Sequence, residues 1–265
     1  MTQPPEQLNK LPVSVVVICK NEYAQITNCI HTALLFTDDV IVYDSGSTDG
    51  TQQLVKNAGA RVVEGEWLGF GLTKRKATAL AKYDWILNLD ADELPDISLQ
   101  QSLQTISFND PRIVYRLKFK NFLGDKELRF GEWGNDKHIR IYNRQKVNWN
   151  DAPVHESLVL EPGIQVRDLP GSVLHYTVKN VADYADKTIR YGLLNAEKYQ
   201  QAGKQSSNFK IYLAPVFAFV KYYVFFLGFL DGMAGLTCAR MTAHYTFLKY
   251  ARLKELNDQS QRAEQ

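Results

Sequence analysis

Apolar and polar positions alternate in a regular order along the N-terminal part of the chain. Val13–Ile18 is a short apolar run rich in β-branched residues, typical of a strand covered on both faces of a sheet. Beyond it, apolar residues recur at helical spacing, at Ile26, Ile30, Ala33 and Leu34. The same order repeats, with predicted strands at Val40–Tyr43, Arg61–Glu64 and Trp85–Leu89 and predicted helices at Gln52–Ala58 and Thr73–Lys82. Strands that alternate with helices predict βαβ units and a largely parallel sheet.

The pattern changes after Pro95. Ile113–Lys120 and His138–Tyr142 alternate between apolar and polar residues, as half-buried strands do. Two helices are predicted further on, at Val181–Gln201 and Phe209–Leu256. We therefore expect an α/β domain over residues 1–205, with a mostly parallel half at 11–95 and an antiparallel half at 96–205, followed by a helical apolar extension at 206–265.

An apolar stretch of twenty residues, Ile211–Leu230, lies in the second of these helices. Its length matches a bilayer crossing, but Lys221 lies in the middle, where a charge costs about 3 kcal/mol on insertion scales. The aromatic residues of the stretch suit a membrane interface better than its centre, namely Tyr212, Tyr222, Tyr223, Phe225 and Phe226. We expect a helix that lies on a membrane surface. The alternatives are a helix packed against the rest of the protein or a dimer interface.

Composition narrows this picture only slightly. The 265 residues are 45% hydrophobic, which is enough for one substantial core. Lys and Arg number 31 against 29 Asp and Glu, so the net charge of +2 gives no indication of a nucleic-acid partner. Cys19, Cys29 and Cys238 show neither disulfide nor metal-ligand spacing, which favours a reducing compartment. Met1–Lys10 is polar and shows no apolar signal segment, so we expect a cytoplasmic protein.

Three polar loops follow predicted strands at their carboxyl ends: Cys19–Glu22, Asp44–Asp49 and Asp90–Glu93. In an open α/β sheet the carboxyl ends of parallel strands meet at one edge, where ligands bind. Short polar residues are also common in such loops as turns and helix caps. Because three acid-bearing loops converge on the same edge, the pattern favours a binding site.

Asp90-Ala91-Asp92 places two carboxylates around a small residue. Hard oxygen ligands suit Mg²⁺ or Mn²⁺, which commonly bind substrate phosphates at the same time. Such a cation neutralises a leaving diphosphate and acts as a Lewis acid. The alternative is a solvated acidic loop that caps the next helix. The position directly after the buried run Trp85–Leu89 favours the metal site.

The loop from Asp44 to Gly50 carries glycines that permit tight turns. Asp44 is placed to accept a hydrogen bond from a nucleobase or a ribose. Asp49 fits an ordinary turn that caps a helix, and Asn21 of the preceding loop fits the cap of the first helix. No Gly-Lys-Ser/Thr follows, so this loop is not a phosphate-binding P-loop.

Three segments together resemble the signatures of the family-two inverting glycosyltransferases: Val13–Glu22 (VSVVVICKNE), Asp44–Thr51 (DSGSTDGT) and Leu87–Glu93 (LNLDADE). The resemblance implies a GT-A fold, a nucleoside-diphosphate-sugar donor and a divalent metal, Mg²⁺ or Mn²⁺. It also implies that Glu22 and Asp44 contact the uridine of the donor. The remaining residues that it implies are Arg75 near the nucleotide, Asp90 at the ribose, Asp92 at the metal, and Ile18 and Ala91 in the donor-binding set.

Segments of the second half resemble the lipopolysaccharide-core β-glucosyltransferase branch of that family: Val154-His155-Glu156, Leu174-His175-Tyr176, Lys187 with Arg190-Tyr191, and Gly228–Gly232. This resemblance implies that a sugar, typically glucose from UDP-glucose, is transferred to an inner-core heptose. The acceptor would then be a glycolipid at the inner face of the cytoplasmic membrane, with the protein peripherally associated there. Another envelope polysaccharide or lipid-linked acceptor is the alternative.

Inversion at the anomeric carbon needs one general base within hydrogen-bond reach of the acceptor hydroxyl. Glu156 is the first candidate and Asp151 the second; the alternative for Glu156 is an ion pair with a basic residue such as Arg140. His175 could complete the metal shell or contact the diphosphate, or it could be a partly buried structural histidine. His138 and Arg140 share one face of a strand and suit the donor phosphates, with structural salt bridging as the alternative.

Other classes of protein use similar motifs. A sugar nucleotidyltransferase would need a glycine-rich basic loop after its first strand, where this chain has Cys19–Glu22. A haloacid-dehalogenase-type phosphatase carries Asp-X-Asp on its first strand, whereas here the pair follows the fourth. A non-catalytic, membrane-associated scaffold is the non-enzymatic hypothesis, and metal-dependent UDP binding would distinguish it. The transferred sugar, the acceptor hydroxyl and the oligomeric state stay open.

Overall fold

The computed structural model describes residues 8–151 and 156–263. These residues form two compact units. The first unit comprises the described residues up to Phe119 together with those of Lys137–His175. The second comprises Lys120–Asp136 together with the described residues from Tyr176 onward.

The first unit begins with strands and helices in strict alternation: β1 (Val13–Cys19), α1 (Ile26–Phe36), β2 (Asp39–Asp44), α2 (Thr51–Asn57), β3 (Arg61–Glu64), α3 (Phe70–Ala79) and β4 (Trp85–Asp90). The four strands lie in the order β3-β2-β1-β4 and every neighbouring pair is parallel. Every residue of β1 and β2 is buried, as expected of parallel strands covered on both faces. The predicted parallel half is therefore confirmed.

The chain continues through β5 (Glu93–Pro95), α4 (Ile97–Leu103), β6 (Ile113–Leu123), β7 (Lys126–Leu128), β8 (Asp136–Asn143), β9 (Asn148–Trp149), β10 (Leu158–Val159) and β11 (Gln165–Val178). The sheet extends from β4 in the order β8-β6-β11-β5, and β7 pairs with β6. The pairs β4–β8, β5–β11 and β6–β7 are antiparallel. Strands β9 and β10 form a separate antiparallel ribbon. This mixed half agrees with the fold class predicted from the sequence.

Two hydrophobic clusters cover the faces of the parallel strands. On one face, Ile26, Ile30 and Phe36 of α1 are fully buried in the larger cluster. On the other face, Ala77 of α3 packs in a cluster with Tyr142 of β8. Because helices cover both faces, the polar ligand-binding groups are left to the edge of the sheet.

The second unit is mainly helical, with α5 (Val181–Gln201), α6 (Asn208–Val220) and α7 (Gly232–Ala263). Helix α5 begins where the side chain of Asn180 accepts a hydrogen bond from the Asp183 N–H, and α6 begins with the same kind of cap at Ser207. Helix α7 packs against both α5 and α6. A π-helical turn at Lys221–Phe225 and a 3₁₀ turn at Gly228–Asp231 separate α6 from α7.

The prediction of one continuous helix over Phe209–Leu256 is wrong, because the chain bends by 72° between Asn208–Phe225 and Gly228–Arg262. Leu227 and Gly232 adopt positive φ angles of 58° and 63°, which an α-helix cannot contain. Among the described residues, no single helix has the length and apolar character needed to cross a membrane. The two bent segments meet that criterion only when taken together.

Candidate active site at the carboxyl edge of the sheet

Strand register places two predicted site residues beside the end of β1. Cys19 is level with Asp44 on β2, and Ile18 is level with Asp90 on β4. Ile18 and Ala91 are both buried, so their side chains belong to the core beneath this edge. The polar loops predicted to share one edge of the sheet do share it.

Asp44 is fully buried and its carboxylate organises the loop that follows it. Its Oδ1 accepts hydrogen bonds from the Gly46 N–H at 3.0 Å, the Ser47 N–H at 2.8 Å and the Gln52 amide at 2.8 Å. Its Oδ2 accepts from the Ser47 hydroxyl and the Cys19 thiol. Burial opposes the charge, but the bonds from Ser47 and Gln52 outweigh it and hold the pKa of Asp44 below its ordinary value. Contact with a uridine stays a prediction for this residue.

The loop after β1 is tied to the loop after β2. Asn21 does not cap α1 as predicted; it adopts a left-handed φ of 59°, its N–H donates to the Ser47 hydroxyl, and its Oδ1 accepts from the Thr48 N–H. The Glu22 N–H donates to the Thr51 hydroxyl at 2.9 Å. The prediction for Asn21 is wrong because a short amide side chain tolerates the left-handed region and bonds locally there.

Asp90 meets two cations. Its Oδ1 lies 3.7 Å from Lys74 Nζ and its Oδ2 lies 3.5 Å from Arg140 Nη2. Burial opposes ionisation, but Lys74 and Arg140 hold the pKa of Asp90 well below its usual range. The Asp90 side chain remains 38% exposed, so a carboxylate is presented to incoming ligand at this point.

Arg140 is nearly buried and also pairs with Glu93, whose side chain is fully buried, at 2.6 Å. The second oxygen of Glu93 accepts the Asp90 N–H, which fixes the turn after β4. Burial raises the pKa of Glu93 to about 7 although Arg140 acts against the shift. The Nε–H of Arg140 is buried and has no hydrogen-bond partner among the described residues.

Phe119 provides an aromatic wall for the same edge. Arg140 lies over its ring, 5.1 Å from the centroid, and His138 meets the ring edge-on at 5.0 Å. His175 approaches the ring at 6.1 Å. The predicted phosphate-contacting pair, His138 and Arg140, is therefore brought together with His175 around one side chain.

A cavity of about 440 Å³ opens at this edge. Its charged lining consists of four cations and two carboxylates: Lys74, Arg116, Lys137, Arg140, Asp90 and Glu156. Asp168 neutralises part of this charge, because it pairs with Arg116 at 2.6 Å and with Lys137 at 3.2 Å. A cavity rich in cations suits a ligand that carries several negative charges, as a diphosphate does.

Asp92 and His175 lie side by side, with 3.6 Å between the carboxylate oxygen and Nε2. Burial opposes the imidazolium, but Asp92 and the neighbouring Glu93 and Asp90 raise the pKa of His175 above its ordinary value. Among the described residues, no three His, Cys, Asp or Glu side chains converge as metal ligands. Two protein ligands fit a cation that takes its remaining ligands from phosphate and water, as Mg²⁺ and Mn²⁺ commonly do.

Only one of the two candidate bases, Glu156 and Asp151, lines the cavity. Glu156 lines the cavity, with its side chain 15% exposed and 2.7 Å from Lys74 Nζ. The ion pair foreseen for Glu156 is therefore made with Lys74, not with Arg140. Asp151 is exposed, pairs with Arg75 and does not line the cavity. Val154 and His155, which belong to the motif around Glu156, lie outside the described residues.

Sequence reasoning missed Lys74. It is buried, contacts both acidic residues of the cavity, and lies 4.7 Å from the centroid of the Trp149 ring. Arg75, which was predicted to lie near the nucleotide, turns outward and is not part of the lining. A signal was present: Lys74 falls on the helical face that carries Ala77 and Thr78, and a charge on an inward face is a candidate functional group.

The chain is similar to known proteins over most of its length. A model of the family described as "Glycosyl transferase family 2" matches residues 14–161. An uncharacterised glycosyltransferase of Rickettsia typhi (strain ATCC VR-144 / Wilmington) is 31% identical over 256 residues, which covers 92% of this chain and 87% of that protein. The lipopolysaccharide core biosynthesis glycosyltransferase LpsC of Rhizobium meliloti (strain 1021) is 28% identical over 256 residues, 91% of this chain and 94% of that one.

Solved structures show a more limited similarity. The structure of glucosyl-3-phosphoglycerate synthase from Mycobacterium tuberculosis with Mn²⁺, uridine diphosphate and glucosyl-3-phosphoglycerate is 29% identical over 43% of this chain and 44% of its own. The TM-score is 0.32, which is too low to bear on the site or its ligand.

Proposed function

Because this chain belongs to glycosyl transferase family 2 and is a glycosyltransferase, we propose that it transfers a hexose from a UDP-sugar to a glycolipid acceptor with inversion. The family and the α/β fold class are confirmed, and the GT-A fold stays what the three motifs imply. The sugar is glucose by resemblance to the lipopolysaccharide-core branch. The acceptor is the inner-core heptose of lipopolysaccharide by the same resemblance.

The observation that carries the proposal is the cavity that brings four cations together with the Glu156 carboxylate in its wall. A transferase of this kind must hold an anionic leaving group and a base within one site. Lys74 and Arg140 supply positive charge. The buried Nε–H of Arg140 has no partner among the described residues, so it is available to donate a hydrogen bond to an oxygen of the sugar-nucleotide. Of the two candidate bases, Glu156 is the one that lines this cavity.

The chemistry assigned to these residues is a single displacement. The acceptor hydroxyl oxygen attacks the anomeric carbon while its proton passes to the Glu156 carboxylate. The bond from that carbon to the diphosphate oxygen breaks, and its electron pair leaves with the nucleoside diphosphate. Lys74 positions Glu156 at 2.7 Å and adds positive charge beside Asp90.

Asp92 and His175 would hold the divalent cation, Mg²⁺ or Mn²⁺. When bound, the cation neutralises charge on the leaving diphosphate. Imidazole binds a metal only in its neutral form, so metal affinity falls in acid, and the raised pKa of His175 moves that fall to higher pH. Asp90 keeps its charge through the same range because Lys74 and Arg140 stabilise the carboxylate.

The acceptor and the location of the protein are the finer parts of the proposal. A relative that covers nearly the whole chain is named for lipopolysaccharide core biosynthesis, which supports an envelope glycolipid as acceptor. We infer a cytoplasmic protein peripherally associated with the inner membrane, where such an acceptor would be held. A different envelope polysaccharide or lipid-linked acceptor is the alternative.

A donor screen tests the proposal. The purified protein is incubated with Mn²⁺ and UDP-glucose, UDP-galactose or UDP-N-acetylglucosamine, with lipopolysaccharide truncated at the inner core as acceptor. Released UDP and the mass of the product are measured. We expect one donor to be strongly preferred and one sugar to be added. No UDP-sugar turnover with any donor would contradict the enzymatic assignment and favour the scaffold hypothesis.

A variant of the base sharpens the screen. Glu156→Gln should lower the transfer rate by about a hundredfold or more while UDP affinity changes little, because the amide cannot accept the proton. Glu161→Gln, at an exposed residue outside the cavity, is the matched control and should stay close to the parent. Full transfer by Glu156→Gln would place the base elsewhere, with Asp151 next to examine.

A further inference from the structure

The second unit exposes an unusually large amount of apolar surface between residues 208 and 233. Of the 26 exposed large apolar side chains among the described residues, 12 lie in this segment. Phe209, Tyr212, Phe225 and Met233 are each more than 70% exposed. Single exposed apolar residues are ordinary, but a contiguous cluster of this size marks an interaction surface. We call residues 208–233 the apolar hairpin.

The apolar surface of α6 forms one stripe. Phe209, Tyr212, Leu213, Val216 and Phe217 follow helical spacing and are all exposed. The opposite face packs on α7 and contains the buried Ala218. The tip of the hairpin adds Val224, Phe225, Phe226, Leu227, Phe229, Leu230 and Met233. The hairpin thus presents a continuous run of apolar groups from α6 through the bend.

The bend that presents this surface is held in a defined conformation, because its polar groups form hydrogen bonds within the protein. Asp231 is 6% exposed, and its Oδ2 accepts the N–H groups of Arg129 and Phe130 at 2.9 Å each. The Phe226 carbonyl accepts the Gly131 N–H at 2.9 Å. A Cβ at residue 235 would overlap the Gly228 carbonyl oxygen, so the two backbones meet only because glycine is there.

The chain enters and leaves the hairpin on the same side. Ser206, just before α6, donates its hydroxyl to the Tyr250 carbonyl at 2.8 Å, and its N–H donates to Asn257 Oδ1 at 3.0 Å. Tyr250 and Asn257 belong to the part of α7 that follows the hairpin. Because the segments before and after the hairpin touch each other, a membrane cannot separate them. The hairpin can enter a bilayer only as a re-entrant element.

Basic residues outnumber acids around the hairpin. Between residues 208 and 249 the chain carries four cations, namely Lys210, Lys221, Arg240 and Lys249, and a single acid, whereas Arg252 and Lys254 pair with Glu255 and Asp258. The single acid is the buried Asp231. An anionic lipid surface complements such a face. A symmetric dimer through the same face would place two positively charged surfaces against each other.

We propose that the apolar hairpin inserts into one leaflet of an anionic membrane, with residues 224–233 deepest and with the segments before residue 208 and after residue 233 on the aqueous side. This inference extends the membrane-held acceptor of the proposed function. It is tested without donor or acceptor, so that failure of membrane insertion and failure of sugar transfer are separate results.

Binding of the full chain is measured by flotation with vesicles of phosphatidylcholine alone and with added phosphatidylglycerol. Met233→Asp should reduce binding to anionic vesicles by about tenfold or more, since a carboxylate is costly in the apolar layer. Ile97→Asp is the matched control, because Ile97 is also 75% exposed and also lies in the first turn of a helix, in the first unit. Arg240→Gln should weaken binding to the anionic vesicles only.

Depth and topology are measured in the same vesicles. The tryptophan added in Phe225→Trp should be quenched by lipids brominated on the acyl chain, whereas the one added in Ile97→Trp should not. A tag after Gln265 should stay accessible to protease added outside sealed vesicles.

Three results would overturn the inference: Met233→Asp that binds vesicles like the parent, a tryptophan at 225 that brominated lipid leaves unquenched, or a tag protected from protease. A dimer that Met233→Asp dissociates while vesicle binding is unchanged would mean that a second copy covers the hairpin.

Discussion

Lys74 and Lys76 stand two positions apart on α3, yet only Lys74 turns into the cavity. Helical spacing puts residue 74 on the same face as Ala77 and Thr78, which pack on the sheet, and puts residue 76 in solvent. The burial of a lysine is costly unless it is paired, and Glu156 and Asp90 supply the pair. Two positions along one helix therefore separate a site residue from a surface charge.

Replacing Lys74 should damage the reaction far more than replacing its neighbour. Lys74→Met removes the buried cation that pairs with Glu156 and Asp90, and we expect kcat/KM to fall about a hundredfold. Lys76→Met, an exposed lysine on the same helix, should change kcat/KM by less than about twofold. Steady-state kinetics with the preferred donor measure both. Equal losses in the two variants would remove Lys74 from the site.

The buried carboxylate of Asp44 makes a pH-dependent contribution to stability. Its folded pKa is lowered by the bonds from Ser47 and Gln52, so the contribution is present above the unfolded pKa of about 4 and is lost as the pH falls through the folded pKa. Asp44→Asn should lower the free energy of unfolding at pH 7 by about 2 kcal/mol.

The difference between Asp44→Asn and the parent should narrow below about pH 4, where the parent carboxylate begins to take up its proton. Thermal unfolding of both proteins across pH measures it. A difference that is constant with pH would mean that side-chain packing, and not the charge of the Asp44 carboxylate, stabilises the loop.

At the scale of elements, the join between α6 and α7 depends on small residues. Gly228 and Gly235 bring two backbone segments together at a distance that no side chain allows. The apolar run through this region favours a helix, and the helix is interrupted because Leu227 and Gly232 take left-handed angles and Asp231 binds two backbone N–H groups. Tertiary contacts therefore override local helix propensity here.

Gly235→Ala should destabilise the protein although alanine is the better helix former. Overlap with the Gly228 carbonyl should lower the free energy of unfolding by about 2 kcal/mol. Gly192→Ala, at a glycine inside α5 of the same unit, comes no closer than 3.2 Å to the Leu248 side chain and 3.5 Å to the Tyr245 carbonyl, and it should change stability by less than about 1 kcal/mol. Urea unfolding measures both; a stabilised Gly235→Ala would show that the bend can open without cost.

At the scale of the whole molecule, ligand binding should appear as added stability. UDP with Mn²⁺ at about a hundredfold excess over its Kd should add about 2.7 kcal/mol, because the ligand binds only the folded state. A chelator and the Asp92→Asn variant should each remove the Mn²⁺-dependent part, while Asp125→Asn, in an exposed turn, should keep it. Differential scanning fluorimetry measures the shifts. If the stabilisation by UDP persisted both with the chelator and in Asp92→Asn, UDP binding would not depend on the metal.

Much of the first unit was predictable, because short-range patterns specify it. The runs at Val13–Ile18 and Trp85–Leu89 are buried on both faces of the sheet, so they are apolar except at Ser14 and Asn88. The strand Gln165–Val178 was not predicted, because Asp168, Pro170 and Gly171 interrupt its pattern. Gly171 is required by a close approach to the Leu99 backbone, which no local pattern reveals.

The sequence by itself determined the α/β class, the family and the edge of the sheet that carries Asp44, Asp90 and Asp92, because strand period and loop position depend on nearby residues. Only the tertiary structure decided that Lys74 and not Arg75 lines the cavity, and that Glu156 and not Asp151 shares it. It also decided that the apolar C-terminal segment bends, so that the chain after the bend contacts the residues that precede the segment. These features depend on contacts between residues far apart in the chain, which only the folded structure brings together.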